Sequence, residues 1–189
     1  MIEKRKTDLR VYKTKKAIIE TFKQMVLEMD AGDITIKELT DRALIHRKTF
    51  YLHYNSIESL YDEIFADVME DYYKEIDKLE KDAPFTETNK VFFTFLSNQE
   101  PYIEKIIYSS SYRDFSDKFF YKMITHNRNK HNPYKGFTEA EQNLINTFLG
   151  VSSVNLYRQW IRDKKNIPLK KLISLSGKLF MNGISSVTK

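Results

Sequence analysis

The chain has 189 residues, 41% hydrophobic and 14% aromatic, which is ample for one good core or two small ones and excludes wholesale disorder. It has no Cys, which excludes a disulfide framework and a thiolate metal site, and no apolar run near the roughly 18 residues needed to span a bilayer, so no membrane role is expected. The formal net charge of +5 is uneven: residues 1–56 carry about 12 Lys and Arg against 8 Asp and Glu, and residues 57–189 about 19 against 18, as suits a polyanion-binding head on a near-neutral body.

Only 5 Gly and 4 Pro punctuate the chain, and Lys, Glu, Leu and Ile recur at helical spacing without strand-like alternation, so the fold class is all-α. Residues 1–13 hold Lys4, Arg5, Lys6, Arg10 and Lys13 with no apolar period. They are expected to form a frayed basic arm, which either reaches a polyanion or stays unstructured. Nothing there resembles the apolar stretch of a signal peptide, and a cytoplasmic protein is expected. Thr14 then caps a first helix with an apolar stripe at Ile18, Phe22, Met25 and Met29, ended by residues 30–33.

The next two patterns are short and close together. Thr35 stands as N-cap with Glu38 three residues on, a capping box, and Ile36, Leu39 and Ala43 keep helical spacing until the pattern stops near Arg42 or Ala43. A second pattern opens at about His46, with Phe50 and Tyr54 four apart on the inner face and Arg47, Lys48, Thr49, Tyr51 and His53 on or beside the outer one. So few residues separate them that the pair forms a tight helix-turn-helix. A short helix with cations and hydroxyls near its N-terminus can enter the major groove, roughly 12 Å wide. By charge alone, a solvated basic turn between two helices is the commoner case and the better reading.

Asn55 and Ser56 break the pattern, and Ser56 caps a long helix with apolar positions from Leu60 to Leu79, about 35 Å by helical rise. Residues 82–84 end it at a Pro. Beyond lie a Phe-rich helix over residues 86–99, another from Pro101 through Tyr108, and a third carrying Phe115, Phe119, Phe120, Met123 and Ile124. Residues 126–133 read as a loop by composition, and His126 and His131 lack the spacing of a helical ligand pair, so no metal site is expected. Two long helices close the chain, over residues 139–164 and 168–187. Gly150, Ser152 and Ser153 on one, with Ser176, Gly177 and Gly183 on the other, would let the two backbones approach closely.

The residues of the helix-turn-helix resemble the DNA-binding segment of the TetR family of bacterial transcriptional regulators. The likeness rests on Thr35, Ile36, Leu39 and Ala43, on Thr49, Phe50, Tyr51, His53 and Tyr54, and on Glu58 and Leu60 opening the next helix. Three positions depart from the family pattern. Leu44 stands in the turn where Gly is usual and would have to adopt a left-handed conformation, His46 replaces a better N-cap, and Ile57 replaces a Lys that would pair with phosphate.

The resemblance implies a three-helix DNA-binding head at residues 1–56, its arm included, joined by the long helix to a helical regulatory and dimerisation domain at residues 57–189. DNA contacts are implied at Thr35, Lys37, His46, Arg47, Lys48, Thr49, Tyr51, His53 and Asn55, with Lys48 and Arg47 on bases and Thr35, Tyr51 and His53 on phosphates. Phe95, Tyr102, Tyr108, Phe119, Phe148 and Trp160 are candidates to line an effector pocket. Leu156, Ser176, Phe180 and Gly183 are candidates for a homodimer interface built from the last two helices. The function implied is a repressor bound to a double-stranded operator and released by a small molecule. The alternative is an activator or adaptor whose body binds a protein co-regulator. An enzyme is not expected, because no nucleophile, base and orienting group stand at recognisable spacing and no phosphate loop is present, and no cofactor is called for.

Overall fold

With so few chain breakers, helices occupy most of the sequence. The computed structural model describes residues 2–183, and among them the elements are α1 (Ile2–Glu28), α2 (Ile36–Arg42), α3 (Arg47–Tyr51), α4 (Ile57–Ile76), α5 (Phe85–Ser97), α6 (Pro101–Tyr108), α7 (Arg113–Lys130), α8 (Glu139–Arg162) and α9 (Leu169–Asn182), with 3₁₀ turns at Ala31–Asp33 and Ser110–Tyr112 and no strand. The chain is all-α, as its composition implies. It divides into two compact units, Met1–Val68 with Pro101–Tyr112, and Met69–Glu100 with Arg113–Lys189. By packing, the division falls inside α4, and a stretch from mid-chain joins the N-terminal helices.

In the first unit, α1 buries Ile18, Phe22, Met25 and Val26 along one stripe, against Leu39 of α2, Phe50 of α3 and Leu60 and Tyr61 of α4. Phe22 meets Tyr61 edge-on, with ring centroids 4.7 Å apart. The helix starts at Ile2, so residues 2–13 are helical rather than a frayed arm. Thr14 is not a cap, since its hydroxyl donates to the Arg10 carbonyl one turn back. No Gly or Pro stands in residues 1–13, and nothing in their sequence stops a helix.

The far end of α1 leaves carbonyls without intrahelical partners. Lys105 of α6 donates to Leu27 O at 3.0 Å and Met29 O at 3.1 Å, and the Tyr112 hydroxyl to Met29 O at 2.8 Å. Burial, with Asp30 nearby, pushes Tyr112 up to about 12, so it remains a protonated donor. These bonds explain why Pro101–Tyr112 packs with the head helices.

The second unit is held by aromatic packing and a small polar network. Asn89 of α5 donates to Ser176 of α9 at 2.9 Å and accepts from Ser153 of α8 at 3.3 Å, tying three helices together inside the core. Thr138 and Glu141 form a full capping box at the start of α8. At its end Lys164 and Lys165 both take positive φ, in the compact connection to α9. A Cβ on Gly150 would lie 2.7 Å from Ile124 of α7, so the close approach at this glycine is between α8 and α7, not α8 and α9.

α7 runs through His126 to Lys130, where a loop was expected. His126 Nε2 lies 2.7 Å from Asp77 Oδ1, and Asn127 bonds the Tyr72 hydroxyl at 2.7 and 3.0 Å, so tertiary partners outweigh a polar, weakly helical composition. The last helix ends at Asn182, and residues 184–187 of the expected span lie outside the described residues.

Candidate nucleic-acid interface

Local chemistry fixes the helix-turn-helix. The Thr35 side chain accepts the Glu38 backbone N–H at 3.2 Å, capping α2. The box is half made, because the Glu38 carboxylate turns instead to Arg42 at 2.8 Å. The turn is a Schellman motif: Ile45 N–H donates to Thr40 O at 3.0 Å and Leu44 N–H to Asp41 O at 3.3 Å. That motif requires a left-handed residue after the cap, and Leu44 adopts it at φ 53° with its side chain 91% exposed. His46 takes the extended N-cap conformation of α3 and contributes no side-chain cap bond.

Phe50 and Tyr54 bury the inner side of α3. Tyr54 also donates to Glu63 of α4 at 3.0 Å, and Glu63 pairs with Lys15 of α1 at 2.8 Å, so one carboxylate joins three segments beneath α3. Burial, then the Glu63 charge, raises the Tyr54 hydroxyl well above its usual range and keeps it a donor. Tyr72 and Tyr73 of α4 are likewise raised by burial, with no role in this interface.

Of the nine residues expected to meet DNA, Thr35, Lys37, His46, Arg47, Lys48, Tyr51 and Asn55 are exposed, and Thr49 and His53 half-buried. Pairing sorts the cations. Arg42 is engaged by both Glu28 and Glu38, which raise its guanidinium further, and Lys15 is held by Glu63. Arg47 donates to the Tyr51 hydroxyl at 3.0 Å, one turn along. Lys37 and Lys48 have no such partner among the described residues. The outer surface of α3 thus offers an unengaged ammonium, and beside it a guanidinium and hydroxyl already joined.

The other predicted residues scatter. Tyr102 and Tyr108 belong to the first unit; Phe95, Phe119, Phe148 and Trp160 belong to the second. Phe95 borders a cavity of about 720 Å³ with Lys74, Leu79, Lys90 and Val91. Phe119 is buried in packing, and Trp160 is buried with its indole N–H on Ile167 O at 2.8 Å. Phe148 is 57% exposed on α8, facing Phe180 with centroids 6.0 Å apart, and lines an open apolar groove with Leu156, Leu179 and Gly183. Ser176 is 1% exposed and engaged by Asn89, so it lies in the core of the second unit and not, as expected, on an interface. His126 and His131 converge on Asp77, which the sequence spacing did not suggest, yet no group of three side chains able to hold a metal occurs among the described residues.

No protein-family model matches the chain, and no curated protein sequence does. Solved structures do match: a TetR transcriptional regulator from Streptococcus agalactiae 2603V aligns with a TM-score of 0.69 at 20% identity, covering 92% of this chain and 97% of that one. The chain has a TetR-like fold. The regulator FadR from Bacillus subtilis, solved with stearoyl-CoA, aligns at TM-score 0.63 and 13% identity, covering 89% of this chain and 98% of its own. DhaS, a dihydroxyacetone kinase operon activator, aligns at 0.54 and 17% identity, with 91% and 96% covered. At these identities the likeness is one of fold. No helix among the described residues is long and apolar enough to cross a membrane.

Proposed function

We propose that this chain is a sequence-specific DNA-binding transcriptional regulator that works as a homodimer. The observation that carries the reading is the outer surface of α3, where exposed Arg47, Lys48 and Tyr51 stand on a helix anchored through Phe50 and Tyr54, within a TetR-like fold. Lys48 is assigned to base edges and needs no release. Arg47 reaches a base only by leaving Tyr51; kept together, the two make a cation and hydroxyl pair suited to one phosphate. Thr35, His53 and Lys37 orient the head on the backbone.

Exposed apolar residues on α8 support dimerisation: Leu144, at 74% exposure, and Phe148 stand four residues apart on one face of the helix, and Phe148 lines the groove that holds Leu156 and Phe180. A second copy of this surface would cover them, as in a helical bundle shared between subunits. Release of DNA by a small molecule fits the size of the cavity beside Phe95, which lies within the range of ligand sites. Activation in place of repression is the second reading, favoured by the likeness in fold to DhaS, titled an operon activator.

Selection from random duplexes, followed by titration of the recovered site, tests the reading. A partly palindromic site bound by two subunits is expected, with half-sites spaced by about 34 to 36 Å or a multiple. Equal affinity for scrambled duplexes would refute it.

A further inference from the structure

Leu44 and Leu52 are the most exposed large hydrophobic residues described in this chain, at 91% and 81%, and they flank one helix of five residues. Leu44 is exposed because the turn places it in the left-handed region, off any helical face. Leu52 has no such reason. It is the C-cap of α3 with helical dihedrals, φ −73° and ψ −16°, so its direction follows the helix.

Phe50 and Tyr54 mark the side of α3 that faces the core. At about 100° per residue, Leu52 lies about 200° from Phe50, opposite the core, and shares its ridge with Lys48 four residues earlier. The outermost line of the helix is therefore one ammonium without a partner followed by one isobutyl group without cover. A purely phosphate-binding helix gains nothing from the second. In the major groove, thymine alone carries a methyl group, and apolar side chains are what recognise it.

We propose that Leu52 is a specificity-determining residue that packs on thymine methyl groups, so that each half-site carries an A·T pair beneath the C-terminal end of α3, next to the base or phosphate met by Lys48. This inference rests on the DNA-binding reading above. It is separable from that reading, because Leu52 can be wrong while α3 still binds DNA.

The test is a cycle between the Leu52 side chain and the thymine methyl. A site is selected with the wild-type protein, each thymine is replaced in turn by uracil, which removes the methyl and leaves the hydrogen-bonding edge unchanged, and affinities are measured for wild type and Leu52→Ala. For wild type, uracil at one position per half-site is expected to weaken binding about threefold to tenfold, the loss that one methyl's burial implies. Leu52→Ala is expected to weaken binding to the thymine site to a similar or greater degree and to become indifferent to uracil there. Its helical circular dichroism and melting temperature should match the parent, since the side chain is exposed.

If wild type selects a site but tolerates uracil everywhere, or if uracil costs Leu52→Ala as much as wild type, the assignment of Leu52 is overturned and the DNA-binding reading stands. If wild type selects no sequence at all, both fall.

Discussion

Lys105 Nζ lies 3.1 Å from the carbonyl oxygen of Met29, a residue 76 positions earlier, and 3.0 Å from that of Leu27. A cation thus closes the C-terminal end of α1, where the helix dipole favours positive charge. Lys105→Met keeps the stem and removes the donors. It is expected to destabilise the protein by about 1–2 kcal/mol, the worth of charge-assisted bonds to partly buried carbonyls, read as a lower urea midpoint. An unchanged midpoint would mean that Tyr112 alone suffices.

Leu44→Gly should stabilise. A leucine in the left-handed region costs about 1–2 kcal/mol, part of which glycine gives back through its freer unfolded chain, leaving a gain of about 0.5–1 kcal/mol. The exposed side chain takes no packing with it. Equilibrium denaturation measures the difference, and a loss of stability would show that Leu44 makes contacts its exposure denies.

The helix-turn-helix was legible in the sequence because its signals are local: a capping Thr35, Phe50 and Tyr54 one turn apart, and a very short gap between the two patterns. The left-handed Leu44 was implied by the family resemblance, which has Gly at that place, and the bonds that make the turn a Schellman motif are visible only in the fold. What escaped depends on distant residues. Lys105 and Tyr112 find α1 only through the fold, and Ser176, which looks like a small contact residue, is buried with its hydroxyl accepting from Asn89 and donating to the Ile173 carbonyl. The start of α1 escaped for another reason, since basic residues without an apolar period are compatible with both an arm and a helix. Phe148, a candidate pocket aromatic, lies exposed on α8 beside Phe180, and no local signal tells an outward aromatic from an inward one.

That outward position makes Phe148 the residue on which to test dimerisation. Phe148→Glu puts a charge on the exposed apolar face without entering the subunit core, whereas Phe180→Glu would also disturb its packing on Phe85. The variant is expected to sediment as a monomer with helical content intact, and to lose operator affinity by about 10²- to 10⁴-fold as the two heads are unlinked. A variant that remains dimeric would move the interface off this face.

Asp77 gives the second unit a pH dependence. Burial pushes its carboxyl upward, but the His126 hydrogen bond and the charges of His126, Lys130 and His131 outweigh burial and leave it lowered. A carboxyl lowered by folding stabilises above its unfolded value, about 3.9, and that contribution is lost as pH falls through the lower folded value. Asp77→Asn should therefore be less stable than the parent at neutral pH, and the two should converge below about pH 4. A gap that persisted into acid would assign the effect to packing.

The ratio of affinities for a selected and a scrambled duplex, in wild type and Lys48→Ala, measures whether α3 reads DNA sequence through its outer face. If Lys48 meets a base edge, the ratio should fall by about 5- to 100-fold, the equivalent of about 1–3 kcal/mol, while affinity for the scrambled duplex changes little beyond the loss of one cation. A ratio unchanged by the substitution, with both duplexes weakened alike, would place Lys48 on the phosphate backbone and leave α3 without the base contact proposed for it.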